Sequence, residues 1–251
     1  MRLILKKIRQ QILELSHKKK KGHIASAFSI LEILYSIYTK KKQEDAFLLS
    51  KGHGCLALYG VFLHLKKISL DDFNSFCEYD SILGGHPDRN KIKGVECSAG
   101  SLGHGLPMAA GIALANKIDR KEGLVYCLIG DGESNEGTTW ETAILAKNLN
   151  LSNLVCLVDN NNSQVRAIST ENITSKFKSF GWHTILVENG HDLFEIYEAL
   201  SSVSRNKPTC IVFNTVKGYG VKSMMNNMFE WHHKAPNEKE LNMFIQELED
   251  A

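Results

Sequence analysis

The sequence predicts an α/β fold: a single three-layer domain with a mostly parallel central sheet. Three observations carry that expectation. Apolar runs of strand length alternate with segments of helical period. The strands Leu124–Gly130 and Leu154–Asp159 are apolar up to their last residues, as strands covered on both faces are. No repeat, low-complexity linker or change of composition divides the 251 residues, so one domain is expected over 1–251.

Leu5, Ile8, Ile12 and Leu15 recur at spacings of three and four and mark one face of a first helix. Lys18–Lys21 reads as its solvated end, where cations oppose the C-terminal dipole. Ile30, Ile33, Leu34 and Ile37 repeat the pattern, with Ser26 or Ser29 as the N-cap. An extended run at Ala46–Ser50 precedes a helix from about Cys55 to Leu65. Ser69 with Asp72 signals the start of a helix over Leu70–Tyr79. Asp80–Ser101 contains Gly84, Gly85, Pro87, Gly94 and Gly100 with little periodicity, and is expected to be a long ordered loop, a length that usually accompanies function. A small-residue helix follows at Leu106–Lys117, then the strand Leu124–Gly130, a helix at Thr139–Asn148 and the strand Leu154–Asp159. The remaining alternation is helix Ile173–Phe180, strand Trp182–Val187, helix Asp192–Val203 and strand Thr209–Val216, introduced by Pro208. Asn237 with Glu240 caps a terminal acidic helix.

Charged residues at 23% and hydrophobic residues at 43% exclude a largely disordered chain. Thirty Lys and Arg against 28 Asp and Glu leave a net charge of +2, which gives no electrostatic reason to expect nucleic acid or a membrane as partner. No apolar run is long enough to span a bilayer, and Lys6, Lys7, Arg9 and Gln10 interrupt any signal-peptide core. The six cysteines form no C-x-x-C pair, so neither a zinc site nor a disulfide framework is expected; a reducing, cytoplasmic setting is. Cys127 and Cys156, inside apolar runs, read as small buried hydrophobes.

In an open parallel sheet, ligands gather beyond the carboxyl ends of the strands. Two of those ends are unusual: Gly130-Asp131-Gly132-Glu133-Ser134-Asn135-Glu136-Gly137, and Asp159-Asn160-Asn161-Asn162-Ser163. A carboxylate between two glycines can approach a hard cation closely, and an oxygen ligand from the next strand end helps to complete an octahedron shared with phosphate oxygens and water. Each stretch alone reads as a turn. Together, after consecutive buried strands, they point to a magnesium–phosphate site. Gly132-x4-Gly137 has P-loop spacing, but Thr138 and Thr139 stand where the lysine and hydroxyl residue are required. Gly100-x-x-Gly103-x-Gly105 reverses the dinucleotide spacing and does not join an early strand to a helix.

Gly130-Asp131-Gly132 followed by Asn161 resembles the motif of thiamine-diphosphate enzymes, and the surrounding sequence resembles the transketolase family in particular. Gly22-His23, Ser50-Lys51-Gly52-His53, Gly85-His86-Pro87, Gly100-Ser101-Leu102-Gly103-His104-Gly105, Glu133 with Glu136-Gly137-x-x-Trp140-Glu141, and Trp231-His232-His233-Lys234-Ala235-Pro236 match in order. The resemblance covers nearly the whole chain and implies the diphosphate-binding domain of the thiamine-diphosphate-binding fold. It implies thiamine diphosphate as cofactor and magnesium (or calcium) held by Asp131, the Asn161 side chain and the backbone carbonyl of Ser163. It places Gly100, Leu102 and Gly103 along the cofactor, with Gly130 and Gly132 beside Asp131. His23, His53, His86 and His232 align with the histidines of the substrate channel, and His53 and His232 also approach the diphosphate. Imidazole titrates near neutral pH and so suits proton transfer among sugar hydroxyls. Glu136 resembles a buried carboxylate that communicates with the partner site across a dimer; as a bare sequence feature it reads as an acid at a helix N-terminus. His104 and His233 carry weaker assignments. His17, His64, His183 and His191 read as structural, and Gln164-Val165-Arg166-Ala167 departs from the family pattern.

A full transketolase continues into a pyrimidine-binding domain and a C-terminal domain, which this sequence lacks. The chain therefore resembles the N-terminal subunit of a split transketolase, transferring a two-carbon ketol unit from a ketose to an aldose together with a separate pyrimidine-binding subunit, and it is expected to be inactive alone. An α2β2 heterotetramer acting on small sugars or sugar phosphates follows from the same resemblance. Two other readings are a thiamine-dependent ketol or acyl transferase with an unusual acceptor, such as one of branched-sugar biosynthesis, and a cofactor-binding scaffold without catalysis.

Overall fold

In the computed structural model, which describes residues 1–169 and 171–250, the apolar runs become a five-stranded sheet with order β1-β2-β3-β5-β4. The last residue of the expected 1–251 domain lies outside the described residues. The strands are β1 Ala46–Leu49, β2 Val125–Gly130, β3 Leu154–Asn160, β4 His183–Val187 and β5 Thr209–Asn214. Every pairing is parallel, not merely most of them. Each strand is preceded by one or more helices: α1 Arg2–Lys19, α2 Ile24–Phe28 and α3 Leu31–Lys40 before β1; α4 Cys55–His64, α5 Leu70–Asn74 and α6 Gly105–Ile118 before β2. They continue with α7 Gly137–Asn148, α8 Ile173–Ser179, α9 Leu193–Ser201, α10 Lys222–Asn226 and α11 Glu238–Glu249.

Alternation within the buried strands sends side chains to two separate cores. Leu128, Leu157, Ile211 and Phe213 pack with residues of α1, α3, α4, α9 and α11 on one face. Val125, Cys127, Ile129, Cys156, Val158, Cys210 and Val212 pack with α6, α7 and α8 on the other. Helices on both faces give the expected three layers and explain why β2 and β3 carry no polar alternation. Cys127, Cys156 and Cys210 lie side by side in register, all fully buried, and the six cysteines are free thiols.

Local chemistry explains most boundaries. Ser69 with Asp72 and Asn237 with Glu240 form capping boxes at α5 and α11. The helix expected over Leu70–Tyr79 stops at Asn74, and Cys77 beyond it takes a left-handed backbone whose N–H donates to the carbonyl of Leu83. Ser26 and Ser29 cap nothing: Ser26 lies inside α2, Ser29 closes it, and α3 begins after Ile30 without a side-chain cap. Lys19, within the cationic end of α1, does not point into water but pairs with Glu78. From Asp80 to Ser101 the chain forms turns and bends without helix or strand, as its glycine content anticipates.

Candidate functional site

The carboxyl ends of β1, β2, β3 and β5 lie side by side because the sheet is parallel, and the polar residues that close those strands meet there. Register pairs Gly130 with Asp159 and Asp159 with Phe213, so Asp131 and Asn161 each stand one residue beyond adjacent strand ends. Both are buried, at 4% and 5% exposure. Asp131 Oδ1 accepts the N–H of Gly132 at 2.8 Å and the Ser163 hydroxyl at 3.4 Å, and its Oδ2 accepts the N–H of Gln164 at 3.3 Å. Asn161 Oδ1 accepts the N–H of Ser163 at 3.0 Å. The three expected ligands therefore share one corner of the site. Burial, then the neighbouring Asp159 charge, pushes the Asp131 carboxyl above the usual range. Asp131 makes no ion pair among the described residues.

Asp159 anchors this corner. Its Oδ2 accepts the Ser29 hydroxyl and the Asn161 amide, both at 2.8 Å, its Oδ1 accepts the Thr215 hydroxyl, and Lys51 forms an ion pair with Oδ2. Burial alone would raise the Asp159 carboxyl, but the Lys51 ammonium and these hydroxyls hold it below the usual range. With its charge consumed by Lys51, Asp159 orients the Asn161 side chain rather than offering a free ligand.

A second buried carboxylate fastens β1 to β2 and to the glycine loop. Glu133, 2% exposed, accepts the Ser50 hydroxyl, the N–H of Gly103 at 2.9 Å and the N–H of Gly130 at 3.3 Å. Burial, the largest influence, raises its carboxyl above the ordinary value. Gly105 donates its N–H to the same Ser50 hydroxyl at 3.1 Å, and a Cβ there would sit 2.2 Å from that oxygen. Gly103 is thus fixed, with Leu102 half-buried and Gly100 exposed beside it. The short turn Gly132–Asn135 swings Glu133 inward, and Glu136 lies exposed in the single chain, immediately before α7.

The four histidines chosen from sequence converge. The His23 ring centroid lies 5.5 Å from that of His53, 6.5 Å from His86 and 5.6 Å from His232, and His53 lies 6.0 Å from His232. His233 joins them, stacked on His23 at 4.4 Å, whereas His104 is exposed and turned onto the carbonyl of Leu102. Burial, followed by neighbouring cationic groups, lowers His23 and His232 to about 4 and His53 to about 2. His86 is lowered by burial alone. All four rings are neutral at pH 7, which makes them hydrogen-bond donors and acceptors rather than fixed cations.

Two buried lysines at the site carried no assignment in the sequence. Lys51 and Lys217 are each 1% exposed. Lys217 Nζ lies 2.6 Å from His232 Nδ1, and burial, then the Lys51 charge, lowers its ammonium to about 8. An ammonium drawn down in this way favours an anion beside it. The loop that holds Lys217 is braced by a structural histidine: His191 Nε2 accepts the N–H of Val216 at 2.9 Å while Nδ1 faces Glu32, which also pairs with Arg9. The ring stacks on Tyr219 at 3.6 Å.

The site offers a buried carboxylate, an amide oxygen and a serine, with the buried Lys51 paired to Asp159 behind Asn161 and the buried Lys217 beside His232. That donor set suits a hard divalent cation with a diphosphate: the cation satisfies Asp131, and the phosphates satisfy Lys217.

The profile of the family described as "Transketolase, thiamine diphosphate binding domain" matches residues 1–248. The chain is 33% identical over 261 residues to a subunit of the apulose-4-phosphate transketolase of Phocaeicola vulgatus, covering 97% of this chain and 92% of that one. It is 31% identical over 259 residues to the 6-deoxy-6-sulfo-D-fructose transketolase subunit SqwG of a Clostridium species, covering 96% and 94%. Among solved structures, the transketolase of Campylobacter jejuni superposes with a TM-score of 0.87 at 27% identity over 98% of this chain and 43% of that one.

Proposed function

This chain belongs to the transketolase family as its thiamine-diphosphate-binding domain, and on that premise we propose that it is the diphosphate- and magnesium-binding subunit of a split transketolase. The observation that carries the reading is Asp131, a buried carboxylate without an ion-pair partner among the described residues, facing Asn161 and Ser163 across adjacent strand ends. Relatives of matching length that are named as subunits support the split arrangement. In this reading residues 1–251 form one domain, working in the cytoplasm with a separate subunit that carries the pyrimidine-binding domain, in an α2β2 assembly. No helix among the described residues is long and apolar enough to cross a membrane.

Thiamine diphosphate supplies, when bound, the carbon nucleophile that takes a two-carbon ketol unit from a ketose and delivers it to an aldose. Asp131, Asn161 and the Ser163 carbonyl hold the cation, and Lys51 fixes Asp159 so that the Asn161 oxygen stays aimed at it. Lys217 and His232 face the diphosphate. Gly100, Leu102 and Gly103, locked by Glu133, shape the wall along the cofactor. His23, His53 and His86, neutral at pH 7, exchange protons with sugar hydroxyls. His233, stacked on His23, holds that ring in place. Glu136, exposed before α7, is available to the partner across the assembly. The glutamate that activates the aminopyrimidine and the arginines that grip sugar phosphates belong to the partner subunit, so the chain alone is inactive.

Relatives named for apulose 4-phosphate and for 6-deoxy-6-sulfo-D-fructose support a second reading, in which the same chemistry serves an unusual sugar. Tagged co-purification from native lysate with mass spectrometry tests the proposal. A stoichiometric partner bearing a pyrimidine-binding domain is the expected result; recovery of the chain without such a partner contradicts it. Assays of the recovered complex on pentose phosphates and on other acceptors then separate the two readings.

A further inference from the structure

The loop after Asn161 departs from the family pattern at Gln164–Ala167, and its contacts give that departure a use. On its inner side the Gln164 N–H donates to Asp131 Oδ2 at 3.3 Å, and a Cβ on Gly132 would lie 2.8 Å from Gln164 Oε1, so the side chain covers that glycine. Ala167 donates its N–H to the Gln164 carbonyl at 2.9 Å, making the loop a closed turn. Its outer side is held differently. The Arg166 guanidinium lies 3.7 Å from the centroid of the Phe229 ring. Phe229 directly precedes the turn Glu230–His232, which carries His232. Arg166 makes no side-chain hydrogen bond or ion pair among the described residues, so stacking is its contribution there. A planar guanidinium can lie flat on an aromatic ring in a way that a lysine ammonium cannot.

We infer that Arg166 is a positioning residue: stacked on Phe229, it clasps the loop that covers Asp131 to the segment that carries His232. The two halves of the site come from distant parts of the chain, Ser163–Ala167 after β3 and Phe229–His232 after β5. Without the clasp, each can open alone. With it, the metal side and the histidine side close as one unit, and cofactor binding does not bear the full ordering cost of two independent loops. The cofactor consequence rests on the functional reading above; the clasp itself does not.

The test uses the full chain in the assembly in which it purifies, with Arg166→Ala, Arg166→Lys, Phe229→Leu, Phe229→Tyr and the double variant Arg166→Ala/Phe229→Leu. Hydrogen exchange without cofactor is read at the Gln164 and Ala167 amides, and the dissociation constant of thiamine diphosphate is measured in excess magnesium. Arg166→Ala and Phe229→Leu are expected each to speed exchange and to weaken cofactor binding by about 3- to 5-fold, the range of a solvent-exposed cation–π contact. The double variant matches either single one, Phe229→Tyr retains wild-type behaviour, and Arg166→Lys recovers only part. A general structural defect would not produce that pattern of coupling and rescue. Wild-type exchange in Arg166→Ala, or additive effects in the double variant, overturns the clasp. A wild-type assembly that binds no thiamine diphosphate removes the functional reading, and the exchange data still decide the clasp.

Discussion

Replacing Lys51 by Met removes the ammonium from a carboxylate that has no access to water. The Lys51 side chain is 2% exposed and that of Asp159 is 0%. Breaking such a pair by deleting one partner costs about 3–5 kcal/mol. Asp159 keeps three neutral donors, from Ser29, Thr215 and Asn161, which favours the lower part of that range. Protonation sets an upper bound. An aspartic acid of ordinary pKa near 3.9 takes up a proton at pH 7 for about 4 kcal/mol, so keeping the group buried costs the variant no more than that. The expected loss is about 3–4 kcal/mol by urea denaturation at pH 7, or roughly 6–16 °C in Tm for a domain of this size. The sign of its pH dependence follows. In the variant, the folded-state pKa of Asp159 rises above the unfolded value, so the deficit shrinks as pH falls from 7 to 5. Asp159→Asn should also destabilise, and the double variant Lys51→Met/Asp159→Asn should lose clearly less than the sum of the two. A loss below about 1 kcal/mol in Lys51→Met, or strict additivity of the pair, would refute the reasoning.

Gly105→Ala places a methyl 2.2 Å from Ser50 Oγ and pushes that hydroxyl off Glu133; a loss of about 2–3 kcal/mol in urea melts is expected, and a neutral result contradicts the contact. The lowered His23 and His53 values mean that the unfolded chain binds more protons than the folded one from about pH 6.5 down towards 4, so stability falls with pH across that window. After allowance for solvent at two half-buried rings, the slope is on the order of 1 kcal/mol per pH unit. Asp131 and Glu133, raised by burial, act in the opposite sense, so the decisive comparison is His53→Asn, which should flatten the slope between pH 7 and 6. In the completed enzyme, His23→Ala and His53→Ala are expected to lower kcat/KM by about 10²–10⁴-fold, the usual weight of a positioned acid or base; changes within threefold would remove these rings from the proton-transfer role.

The fold was legible because both signals it needs are local. Continuous apolar runs identify strands covered on both faces, and their alternation with helical periods leaves a parallel sheet as the natural arrangement. The four converging histidines were legible through motifs beside glycine or tryptophan. The lysines were not, because the sequence gives no hint that Lys51 and Lys217 run inward; that depends on strand ends brought together from positions 49, 130, 160 and 214. Ser29 read as a helix cap because serine before an apolar periodic stretch usually is one; here the pull of a buried Asp159 outweighs that local preference. Glu133 carried no role of its own in the sequence, where it stands three residues before Glu136. Only the geometry of Gly132–Asn135 decides which of them faces the interior.

The most direct test of the cofactor site is calorimetric titration of thiamine diphosphate into the assembled complex, with and without magnesium, for the wild type and Asp131→Ala. Magnesium-dependent binding in the wild type, lost at least 100-fold in Asp131→Ala and abolished by EDTA, is the predicted result. Undiminished binding by Asp131→Ala would remove the metal from this corner of the site, and with it the assignment of Asn161 and Ser163.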